Sequence, residues 1–234
     1  QKVLEIVEKT EGVKVVTPRI KFGVLMEHEG KNKPVFGVGI EPQKEEQAMN
    51  FSKKIIEGRP IAMGAEEVNV GALLARDLGL KVGGRLTVVT QTAYGSISAM
   101  NLKIVGIFSF GAAAIDRRTF YMPFDKAQYL LDIPNRATEI FVLLENENKA
   151  PMIAAKIEKE INASGVLKYK ARAWQEQGFV FVWMMLAKYI YMTIYALILF
   201  FASFTILNTM FMAVMERTKE IGLMKALGMR NRQV

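Results

Sequence analysis

The residues that could do chemistry are few. His28, the only histidine, stands between Glu27 and Glu29, and an imidazole beside two carboxylates is the start of a metal site. Zinc sites take three or four ligands. Here all three residues fall in the charged, turn-like run EHEGKNK, so His28 reads as a surface histidine. Ser96 and Ser98 would need a base within hydrogen-bond reach to act as nucleophiles, and no histidine accompanies them. Asp116 and Asp125 read as a turn residue and a helix cap. There is no GxxxxGK[ST] run to cradle a phosphate, and the absence of cysteine excludes disulfides and thiolate metal ligands. No enzyme active site is found, and no cofactor or metal is expected on this chain. The stretches GSISAM (95–100) and FGAAAI (110–115) read either as contacts for a greasy substrate or partner, or as ordinary loops.

Charge and hydropathy say more. From Tyr189 to Met215 there are 27 consecutive residues without Asp, Glu, Lys or Arg. About 20 apolar helical residues cross a bilayer core, so this run predicts a transmembrane helix. Arg217, Lys219, Lys225, Arg230 and Arg232 follow it closely. The positive-inside rule places such a tail in the cytoplasm and the preceding 188 residues outside. That first region carries 26 basic and 21 acidic residues, an ordinary solvated surface. Without a basic stripe or a known module it does not predict nucleic-acid binding.

Upstream of the span only Lys188 is charged between Gly178 and Met215. One helix over that stretch would reach roughly 57 Å, well beyond a bilayer core. The excess predicts a stalk over 174–188, with Phe179, Phe181, Trp183 and Met184 packed on a partner helix, and an interface at Lys188, Tyr189 and Tyr191. Within the span Ala202, Thr205, Thr209 and Ala213 recur at i, i+3, i+7 and i+11, bordered by Asn208. Small and hydroxyl residues on one face permit close helix contact in lipid; chance alignment, or a substrate path at Asn208, is the alternative. In the tail, Ile221, Met224 and Leu227 lie near one helical face, while Gly222 and Gly228 lack side-chain bulk. An interfacial helix and a docking element for a cytoplasmic partner fit it equally.

The elements before the stalk read as an α+β domain. A helix over 2–11, with Val3, Leu4 and Val7 on one face, ends at Gly12. Strands follow at Val13 to Met26 and Pro34 to Ile40, joined through EHEGKNK. Residues 43–58 read as polar and weakly helical. Val70, Leu73, Leu74 and Leu78 predict a short helix stopped by Gly79, and strands follow at Leu86 to Thr90, Leu102 to Phe108 and Phe120 to Met122. Asp125 is expected to cap a helix carrying Ala127, Tyr129, Leu130 and Leu131. Ile140 to Leu144 predicts a strand, Ile153, Ile157 and Ile161 a helix, and Val166 to Ala171 a last strand. The domains expected are 1–58 with 138–173 as one discontinuous α+β subdomain, 59–137 as an inserted β-rich sheet or barrel, 189–215 as the membrane helix and 216–234 as the tail.

The tail ERTKEIGLMKALGMRNRQV resembles the segment after the second transmembrane helix in ABC-transporter permeases of the MacB/LolC/FtsX superfamily. The matching residues are Glu216-Arg217-Thr218, Glu220-Ile221-Gly222, Lys225-Ala226 and Gly228, preceded by Asn208-Thr209-Met210. GVGIEP (37–42), LARDLGLKVGGRLTVV (74–89), VGIFSFG (105–111), Asp116 and YMPFDKAQYLL (121–131) resemble the periplasmic domain of LolC/LolE-type and MacB-type members. Gly84 departs from an Asp frequent there. The resemblance implies a porter-like subdomain with an inserted second one, a bacterial inner-membrane location, a second permease subunit (identical or not) and a cytoplasmic ATPase that binds the ATP and magnesium. It implies that Glu216, Arg217, Thr218, Lys219, Glu220, Ile221, Gly222, Lys225, Ala226 and Gly228 couple to that ATPase. The exterior would then export or release a hydrophobic or amphipathic substrate, with lipoprotein release favoured over drug or peptide export. Alternatives are an FtsX-like signalling permease controlling cell-wall hydrolases and a membrane-anchored sensor. A chain that starts at Gln1 is also expected to lack a first helix upstream.

Overall fold

The computed structural model describes residues 2–163, 169–173 and 179–228, without the side chains of 2 and 179–182. It divides into two units, Gln1–Ala171 and Arg172–Val234.

The first unit is built on one long strand. Helix α1 (Lys2–Glu8) leads into β1 (Val13–His28), which turns through Glu29 and Gly30 into β2 (Lys31–Ile40). Both turn residues have positive φ, 50° and 79°, the backbone that a two-residue hairpin turn requires. The ladder therefore runs to His28↔Lys31, so the connection is shorter than EHEGKNK suggested. Next come α2 (Pro42–Met49), a 3-10 turn (Phe51–Lys54), β3 (Ile55–Gly58), β4 (Glu67–Gly71) and α3 (Ala72–Leu78). They are followed by β5 (Arg85–Gln91), β6 (Ile97–Phe108), α4 (Ala113–Arg118), β7 (Thr119–Pro123) and α5 (Phe124–Leu131). The unit ends with β8 (Glu139–Leu144), a 3-10 turn and α6 (Ala150–Ala163).

Strand pairing closes β1–β2–β7–β4–β6–β5 into a ring, because β5 returns to β1 through Leu25↔Val89. Alternate residues point inward, as a pleated strand demands: Ile20, Met26, Val88, Leu102, Phe120 and Met122 are buried there. Leu74, Leu78 and Leu130 of α3 and α5 pack into the same core. Gly37 and Gly39 make room for them. A Cβ on Gly37 would stand 2.6 Å from the Phe22 ring and 2.8 Å from Phe120, and one on Gly39 2.5 Å from the Ala127 Cβ.

A second core lies outside the ring. There Tyr121 and Phe108 meet edge-to-face at 5.1 Å, and Phe51 sits 4.9 Å from Tyr121. Burial pushes the Tyr121 hydroxyl up to about 12. The third core is a layer in which Val3 and Val7 of α1 and Ile153, Ile157 and Ile161 of α6 pack on Val16 of β1, with Ile140 and Val142 of β8 against them.

Several expectations change. Val70 lies in β4, not in the helix that follows, because Val68 and Val70 complete the ring's inner face. Residues 97–100 of GSISAM are strand, extending β6 to pair with β5. Pro123, not Asp125, precedes α5; Asp125 Oδ1 instead accepts from the Gly64 N–H at 3.3 Å. The sheet runs across the expected boundary near 58, since β1 and β2 are ring strands along with β4 to β7. Of the expected last strand, 166–168 lies outside the described residues, and 169–171 has no regular structure.

The second unit is α7 (Phe179–Ala226), 48 residues without a break. At about 1.5 Å per residue that is roughly 72 Å.

Candidate functional site

Helix α7 carries the candidate site. Its segment from Trp183 to Ala226 has mean hydropathy 2.1 in its most apolar window, and none of that window is buried. Straight and branched apolar residues fill it without Pro or Gly before Gly222, so nothing interrupts the i to i−4 ladder. The threonine hydroxyls of this helix bond back to its own carbonyls. Thr205 Oγ1 donates to the Phe201 carbonyl at 3.0 Å and Thr209 Oγ1 to the Thr205 carbonyl at 2.9 Å. Thr218 does the same to Val214 at 2.7 Å. The threonines thus present methyl groups and a used hydroxyl, a smooth surface against which another helix can lie.

Because the helix continues past the span, the stripe can be followed further than the apolar run. Ala202, Thr205, Thr209 and Ala213 are succeeded at the same 3-4-4 spacing by Glu216, Glu220, Met224 and Leu227. Such spacing keeps residues on one face of a straight helix. Glu216 and Glu220 therefore lie in line with the small residues, while Arg217, Lys219 and Lys225 stand off that line. Arg217 Nη1 lies 3.9 Å from Glu220 Oε2, an exposed pair worth little in itself. Ile221 is 37% exposed and Leu227 79%. A Cβ on Gly222 would meet no atom within 4 Å. Gly228 ends the helix at φ 90°, its N–H donating to the Lys225 carbonyl at 3.1 Å. Arg230 and Arg232 lie outside the described residues, as do the side chains of Phe179 and Phe181.

In the first unit His28, Ser96 and Asp116 make hydrogen bonds within the fold. His28 Nδ1 is 3.1 Å from the Arg85 carbonyl at the end of the β1–β2 hairpin. Ser96 belongs to the β5–β6 turn, its N–H donating to Thr92 Oγ1. Buried Asp116 accepts from Ser109 Oγ at 2.7 Å and from the Phe110 N–H at 2.9 Å, which anchors the FGAAAI stretch. Among the described residues no group of three or more His, Cys, Asp or Glu could hold a metal ion. Two buried polar centres carry no sequence motif. Asn69 bridges the Arg59 carbonyl and the Ile61 N–H, and Arg19 pairs with the fully buried Glu45.

Residues 192–234 match the family model described as FtsX-like permease C-terminal. Over 97% of its length the chain is 23% identical to the lipoprotein-releasing system transmembrane protein LolC of Neisseria meningitidis serogroup B. In its C-terminal segment and along its sequence the chain is similar to permeases of the MacB/LolC/FtsX superfamily. Its first unit has the matching fold. The extracellular domain of the noncanonic ABC-type transporter YknZ from Gram-positive bacteria covers 72% of this chain and aligns over 85% of its own length at TM-score 0.53 and 13% identity. The periplasmic region of MacB from Actinobacillus actinomycetemcomitans aligns over 71% of this chain and 74% of its own, at TM-score 0.51 and 12% identity. The chain spans 56% of the length of the LolC relative.

Proposed function

We propose that this protein is a permease, the force-transmitting subunit of an ABC transporter. In this reading the ring-and-layer unit faces the outside of a bacterial inner membrane and the basic turns after Met215 face the cytoplasm. A cytoplasmic ATPase carries the nucleotide and presses on Glu216 to Gly228. The observation that carries the reading is the unbroken α7, one rigid element from Phe179 to Ala226, about twice as long as a bilayer core is thick. A rod of that length moves at one end when it is pushed at the other. The stripe from Ala202 to Ala213 seats a second permease helix, and Glu216 and Glu220 continue that line into the ATPase contact. The cargo is hydrophobic or amphipathic, with a lipidated protein as the leading class, supported by the resemblance to the lipoprotein-releasing LolC over nearly the whole chain.

The test is co-purification of the full-length protein from native membranes, wild type against a Glu216→Lys, Glu220→Lys double variant. A P-loop ATPase that accompanies the wild type and is lost or uncoupled in the variant supports the reading. An ATPase bound and stimulated equally by both forms removes the glutamates from the coupling contact. No ATPase with either form, and none fused in the full-length chain, overturns the transporter reading.

A further inference from the structure

The first unit holds two bodies on one strand. Residues Val13 to Arg19 of β1 pair with β8, and Arg19 to His28 pair with β2, so Arg19 is the single residue common to both ladders. The first half of β1 belongs to the layer of α1, β8 and α6; the second half is a ring strand. Their apolar cores are separate. The chain passes between them twice, once within β1 and once where α5 hands over to β8. Both crossings meet at Arg19. The Thr138 N–H and Oγ1 approach the Arg19 carbonyl at 3.0 and 3.3 Å, and the Lys21 N–H donates to Thr138 Oγ1 at 2.7 Å.

The Arg19 side chain then ties the joint to a third element. Its guanidinium lies 3.9 Å over the Phe141 ring of β8. On the other side Nη2 donates to Glu45 Oε1 at 2.5 Å and Nε to Oε2 at 3.2 Å. Glu45 is fully buried on α2, and Thr17 Oγ1 is 3.5 Å from it. A planar guanidinium held bidentately fixes direction as well as distance. Removing one partner would leave a buried charge alone, so this contact has two states, made or broken.

Ala171, the last residue of the unit, packs on the layer, and its N–H donates to Glu158 of α6 at 3.1 Å. The chain thus leaves the first unit from the layer. Hinges are a few residues at element ends that take up the rotation. We propose that Arg19 and Thr138 form the hinge between ring and layer, and that the Arg19–Glu45 pair is the latch that fixes its angle. The latch belongs to the fold itself and does not depend on what the permease transports.

The test uses the full chain in lipid nanodiscs. With no native cysteine, spin labels at Lys159→Cys and Arg85→Cys, both exposed, report the layer-to-ring distance. A ring-only pair, Lys81→Cys with Tyr94→Cys, is the control. Replacing both latch residues by Met (Arg19→Met with Glu45→Met) removes the charges without stranding either one. The expected result is a layer-to-ring distribution that broadens or splits while the ring-only distribution stays as narrow as in wild type. An unchanged layer-to-ring distribution overturns the latch, and broadening of both pairs overturns the hinge, since the change is then general loosening. If the double Met variant does not fold, Thr138→Val decides alone. It deletes only the hydroxyl staple at an exposed position, and it must broaden the layer-to-ring pair and leave the control unchanged.

Discussion

Single residues in this protein act mainly by being small or by being paired. Gly39 has an Ala127 Cβ where its own would be, so Gly39→Ala forces β2 and α5 apart. Overpacking of this kind costs about 1–3 kcal/mol, and a thermal melt of the variant should show it. Asn69 serves two backbone groups at once. Asn69→Ala leaves a buried donor and acceptor unmet, at roughly 1–3 kcal/mol each before water re-enters, and chemical denaturation measures the loss. The Arg59 hydrogen bond holds the Glu67 carboxyl below its ordinary 4.5. A depressed folded-state value means stability present above 4.5 and lost as pH falls below it. Arg59 is largely exposed, so the effect is modest. Glu67→Gln should flatten the stability profile below pH 4.5 and lower stability slightly at neutral pH, read by melts across that range.

Elements show how far local pattern reaches. The i, i+4, i+8 isoleucines predicted α6, and they face the layer core with 4–6% exposure. Ile157→Ala should cost about 2–5 kcal/mol, and hydrogen exchange should show α1 and α6 losing protection while β5 and β6 keep theirs. The apolar run predicted a membrane helix, and a long apolar helix is found there. Other parts were hidden for physical reasons. Val70 fits a helical period and a strand equally, and only ring closure decides between them. The strand in GSISAM is masked by serines because its outer face meets solvent and its register comes from β5. The Arg19–Glu45 pair is 26 residues apart in sequence and belongs to no motif. In the candidate site the tail residues were legible through resemblance, while alignment of Glu216 and Glu220 with the small-residue stripe required knowing that α7 does not break. A proline at Met215 interrupts that ladder at a cost of about 3 kcal/mol or more. Under the proposed function, that variant should leave the ATPase bound and its turnover uncoupled, read in purified complexes.

At the scale of the whole molecule, β1 has partners that arrive at very different times. Its second half meets β2 across a two-residue turn as soon as both leave the ribosome. Its first half waits for β8, with Val16 pairing Val142. Synthesis at about 5–20 residues per second makes that delay roughly 6–25 s. The helical layer needs α6 as well, which ends 16 residues before α7 begins. By then the apolar α7 is close behind in the growing chain. The layer is thus the last part of the first unit to be completed, so its folding and the emergence of the apolar α7 fall within the same seconds.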